Sequence, residues 1–118
     1  MSTFNLKIRT KEFAKRVIVL SEKLPNRRVG WTIQDQIIRS STSVAANYRA
    51  ANRSKSSKDF IYKMQIVLEE ADETLFWLEL ISELSLIESK EEVESMLKES
   101  NELLAIFVKS IKTAKSKI

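Results

Sequence analysis

The stretch Gln36–Leu86, QIIRSSTSVAANYRAANRSKSSKDFIYKMQIVLEEADETLFWLELISELSL, reads as two long helices joined by a serine-rich corner. The second of them carries apolar residues on two sides. Phe60, Met64, Val67, Leu68, Ala71, Leu75, Leu78, Ser82 and Ser85 recur at steps of three and four, which at 3.6 residues per turn puts them on one face, the expected core stripe. Roughly opposite lie Tyr62, Ile66, Phe76, Trp77, Leu80, Leu84 and Ile87. A helix apolar on both sides must be covered on both sides. One small bundle covers only one, so the second stripe predicts a subunit interface at Phe76, Trp77, Leu80 and Leu84. The alternative is that the chain ends fold over Phe76 and Trp77.

Outward from this pair, the first helix is expected from about Leu6 or Thr10 to Lys23, burying Leu6, Phe13, Val17, Leu20 and Leu24 and stopped by Pro25. Pro25–Gly30 is then the longest irregular connection. Thr32, with Asp35 three residues on, is the expected N-cap of the second helix. That helix buries Ile33, Ile37, Ser41, Val44, Tyr48 and Ala51. Its other faces carry Ser40, Thr42, Ser43, Ala45, Ala46 and Ala50, small enough for a neighbouring helix to approach on more than one side. Ser56 with Asp59 caps the third helix, and Ser89 with Glu92 caps a fourth, whose seam is Val93, Leu97, Ser100, Leu104, Phe107, Ile111 and Ala114. Breaks are expected near Pro25–Trp31, Ser54–Ser57 and Leu86–Ser89. The fold class is all-α: a single domain over residues 1–118, an up-down-up-down antiparallel four-helix bundle.

One Gly and one Pro among 118 residues leave few turn formers, as such a fold requires. Cys and His are both absent, which removes disulfides, thiol chemistry, the usual zinc ligand and the commonest general base. Serines 40, 41 and 43 have no histidine to activate them. Glu69, Asp72 and Glu73 are helical neighbours, but carboxylate-bundle metal sites pair such acids with histidine. The chain is therefore expected to be no enzyme and to hold no metal or cofactor. Charge interrupts every apolar run near the N-terminus and no segment reaches membrane-span length, so a cytoplasmic protein without membrane contact is expected.

Charge is segregated along the chain. Met1–Lys63 holds 14 Lys or Arg against 4 acids, Met64–Val108 holds 2 against 12, and the tail adds four lysines at 109, 112, 115 and 117. Oppositely charged helices can pair along their edges. Alternatively, Arg39, Arg49 and Arg53, on the non-core side of the second helix, continue through Lys55 and Lys58 into a surface that meets phosphates without reading bases. The tail lysines form a separate cationic end.

The run Gln36–Arg49, QIIRSSTSVAANYR, followed by Lys58–Lys63, KDFIYK, and Glu70–Leu78, EADETLFWL, resembles the four-helix bundle proteins named for the 23S ribosomal RNA intervening sequence. The resemblance spans nearly the whole chain. Ala50 departs from it, since the family usually has an acid there. Members are encoded in insertions within large-subunit ribosomal RNA genes of some bacteria and elsewhere. The bundle is similar to the accessory variability protein of diversity-generating retroelements, a basic homopentamer that binds nucleic acid and a reverse transcriptase. The resemblance thus implies a homo-oligomer, most simply a pentamer, with RNA, DNA or a reverse transcriptase as possible partners. Two functions follow: an oligomer that contacts RNA or DNA phosphates through Arg39, Arg49, Arg53, Lys55 and Lys58, or a protein-protein scaffold whose basic surface receives an acidic partner.

Overall fold

The computed structural model describes residues 3–118, with side chains from residue 5; the first two residues of the expected domain lie outside the described residues. Four helices follow one another: α1 Thr3–Ser21, α2 Arg28–Ala51, α3 Ser57–Glu83 and α4 Lys90–Lys115. No strand occurs among the described residues. A helix of 24–27 residues is about 36–40 Å long at 1.5 Å per residue, which accounts for most of the 47 × 22 × 20 Å envelope. The start of α1, the end of α2, the start of α3 and the end of α4 meet around one cleft, so the helices alternate in direction.

Val17, Ile37, Val44, Met64, Val67, Leu78, Ile81, Leu103 and Phe107 form the driest part of the core. Tyr48 of α2 and Phe107 of α4 meet across it with ring centroids 6.0 Å apart. Core hydroxyls are satisfied locally: Thr10 Oγ1 donates to the Leu6 carbonyl at 2.8 Å and Ser21 Oγ to that of Ile18 at 2.7 Å. The seam between α1 and α4 is crossed by charge, with the Arg9 guanidinium donating to both Glu99 oxygens at 2.7 Å; just past the end of α1, Lys23 reaches Glu92.

Several boundaries and faces differ from expectation. Helix α1 ends at Ser21, and residues 22–24 tighten into i→i−3 bonds before Pro25. Helix α2 begins at Arg28, not after Thr32, and its cap residue Arg27 makes no side-chain cap bond. Gly30 therefore lies in the first turn of α2. A Cβ there would stand 1.9 Å from the Pro25 carbonyl oxygen, so this glycine permits close passage of the connection rather than a turn. The caps at Ser56 and Ser89 are as expected: Asp59 N donates to Ser56 Oγ at 3.1 Å and Glu92 N to Ser89 Oγ at 3.3 Å.

Helix α3 stops at Glu83, three residues earlier than expected. Ser85 adopts φ 51°, Leu86 N donates to the Ile81 carbonyl and Ser85 N to that of Ser82, which closes the helix as a Schellman motif. The buried face of α3 is rotated relative to the expected stripe: Ile61, Thr74 and Ile81 are in the core, Phe60 and Leu68 are half-buried against it, and Ser85 is exposed. Ile87, expected on the second stripe, is buried because the turn after the Schellman motif carries it back over the core. In α4 the fully buried positions include Met96 and Leu103, while Leu97 and Leu104 flank them.

Candidate nucleic-acid interface

Arg39 and Arg49 leave opposite edges of α2, and this separates their roles. Arg39 turns toward α3, where its Nη1 donates to Glu70 at 3.2 Å and its Nη2 to Glu73. The hydrogen bond to Glu73 is the main cause of a raised Arg39 pKa. Reciprocally, Arg39 lowers the Glu73 carboxyl, helped by Trp77 Nε1 donating to Glu73 at 3.1 Å. In the same seam, Thr74 Oγ1 donates to Ser40 Oγ at 2.8 Å, which the small side chain of Ser40 allows. Arg39 is thus already neutralised within the chain, as the edge-pairing alternative anticipates.

Arg49 is exposed on the other edge, over a groove of about 580 Å³ between α1 and α2. Ala45 and Ala46 leave this groove its width; Ile8, Ala14 and Ile18 line its α1 side. Lys7, Lys11 and Lys15 stand along it, and no carboxylate lines it. Lys15 pairs with Glu12 at 3.1 Å. These three lysines fall at i, i+4 and i+8 on α1, a spacing visible in the sequence but absent from the expected set.

Arg53, Lys55 and Lys58 are exposed or half-exposed around the α2–α3 corner. Neither they nor Arg49 enters an ion pair among the described residues. The corner serines share a cleft with Lys109 of α4 and with Lys117 just beyond it, so these two tail lysines are not separate from the corner. They join the corner cations at the same end of the bundle, next to the mouth of the α1–α2 groove.

The expected interface residues lie on the outer side of α3. Phe76 is 50% exposed and Leu84 56%, with Tyr62 at 64% on the same side, while Trp77 and Leu80 differ, Trp77 being half-buried and Leu80 less exposed than Phe76. Phe76 packs edge-on against Trp77 at 5.0 Å. The described chain ends do not cover Phe76. Among the described residues no group of three or more metal-ligating side chains occurs, and no helix is long and apolar enough to cross a membrane.

The family model described as 23S rRNA-intervening sequence protein matches residues 4–109. A crystal structure of a protein of unknown function from the S23 ribosomal protein family of Bacteroides thetaiotaomicron is similar at 39% identity and a TM-score of 0.81. The match covers 90% of this chain and 97% of that one. No curated protein matches.

Proposed function

Because the chain belongs to the 23S rRNA-intervening sequence protein family, we propose that it is a non-enzymatic bundle that binds RNA or DNA through phosphate contacts. The observation that carries this reading is the set of cations that enter no ion pair among the described residues: Arg49 with Lys7 and Lys11 along the α1–α2 groove, and Arg53, Lys55 and Lys58 at the adjoining corner. Cations spaced over rigid helices neutralise backbone phosphates without selecting bases. Arg39 is left out of this face, since two carboxylates already hold it.

Charge reversal at Arg49 and Arg53 tests the reading. Binding to unrelated RNA sequences is expected to weaken about equally, and the slope of log affinity against log salt to flatten by roughly one for each phosphate no longer neutralised. Unchanged affinity for mixed-sequence RNA in the double variant would sink it and favour the scaffold reading, in which the same surface receives an acidic protein.

A second element of the proposal is self-association. The half-exposed Tyr62, Phe76 and Leu84 support it, because they form an apolar stripe along a helix whose opposite face is already in the core. A homopentamer is the form that the family resemblance suggests. In such an assembly each subunit contributes one basic face, and several faces acting together strengthen attachment to a long polyanion.

A further inference from the structure

We propose that the cleft at the basic end of the bundle binds a nucleotide, free or as the 5′-phosphorylated end of a strand. The cleft measures about 730 Å³, within the range of roughly 300–1,000 Å³ typical of small-molecule sites. Lys109 and Lys117 supply cations, Ser54 and Ser110 hydroxyls, and Phe60 and Ile106 an apolar wall; no carboxylate lines it. This combination matches the two halves of a nucleotide: lysines and hydroxyls suit a phosphate, and a half-buried phenyl ring suits the face of a base.

Ser54 Oγ is buried at the wall of the cleft beside Asp59, whose carboxyl it helps to lower, so Lys109, Lys117 and Ser110 are the groups placed to meet a phosphate. Long-strand contacts along α1 and α2 are a distinct surface, so only the choice of a nucleotide as ligand rests on the nucleic-acid reading above.

Titration of the isotope-labelled full-length protein with AMP, followed by NMR, tests the inference. Amide shifts are expected at Ser54, Phe60 and Ser110. A 5′-phosphorylated tetranucleotide is expected to bind about tenfold tighter than its 5′-hydroxyl counterpart, the effect of one charge-assisted contact. Tighter binding of the phosphorylated strand than of AMP identifies the strand end as the ligand; equal binding identifies the free nucleotide. The double variant K109E/K117E is expected to lose at least tenfold in AMP affinity, and F60L, which retains apolar packing, to lose severalfold; thermal melting verifies that both fold. Absence of AMP-induced shifts at the cleft, or equal affinity for the phosphorylated and hydroxyl strands, overturns the proposal. The two readings fail separately: R49E/R53E is expected to weaken long RNA and leave AMP binding intact. AMP binding without any RNA binding would leave the cleft standing and remove the phosphate-backbone function.

Discussion

Gly30 stands in a helix for a reason its neighbours in sequence do not announce. Alanine would gain about 1 kcal/mol of helix propensity there, but its Cβ would collide with the backbone carbonyl of Pro25, which cannot swing aside as a flexible side chain would. Gly30→Ala is therefore expected to destabilise the protein by about 1–3 kcal/mol in urea denaturation, the usual range for overpacking; an unchanged midpoint would show that the connection yields freely. Read as sequence, Gly30 looks like a turn former, because nothing in a one-dimensional pattern records which carbonyl passes over it. The role of Arg39 is hidden for a related reason: its helix face can be deduced, but not the edge at which Glu70 and Glu73 wait. The pairing has a pH signature. Glu73 is held below the ordinary glutamate value of 4.5, chiefly by Arg39. Its contribution to stability is therefore present above that value and lost as pH falls through the lower folded pKa. Both side chains are partly exposed, so the effect is small, at most about 1 kcal/mol. Arg39→Ala should move the Glu73 carboxyl titration upward when followed by carbon NMR.

Helix by helix, existence is legible and so are the caps of α3 and α4, while the cap of α2 and the rotation of α3 are not. Ser56 and Ser89 announce their helices because a cap is a local hydrogen bond between residues three apart. The buried face of α3 is a different kind of fact. Apolar residues occupy most of its circumference, so periodicity alone does not choose among them; α2 and α4 wedge against it from two sides and draw Thr74, Ile61 and Ile81 inward. The end of α3 is hard to read because a left-handed residue is usually glycine or asparagine, and here it is Ser85. A non-glycine residue in that region bears roughly 1–2 kcal/mol of strain. Ser85→Gly is expected to recover up to about 1 kcal/mol of it, after the entropy that glycine adds to the unfolded chain. A lower melting temperature in this variant would mean that the serine side chain makes a compensating contact.

For the molecule as a whole, the segregation of charge can be read directly, and part of it is accounted for by ion pairs to α4 from α1 and from the connection that follows it, and from α2 to α3. The pattern alone does not reveal which cations remain, because that depends on where each helix edge finds a neighbour. The outer stripe of α3 leads to a prediction at this scale. Phe76→Glu with Leu84→Glu should convert an assembled protein to monomers in light scattering without loss of helical circular dichroism, since both residues are half-exposed in the single chain. A wild-type protein that already scatters as a monomer at micromolar concentration would rule out the assembly. The same topology has a kinetic meaning. The seams α1–α2, α2–α3 and α3–α4 join consecutive segments, whereas Arg9 must find Glu99 across 90 residues of chain and Lys23 must find Glu92 across 69. Closing those loops is the slow, entropically opposed step, so the central hairpin can form while α4 is still being synthesised, and the first helix waits for its last partner until α4 has emerged from the ribosome.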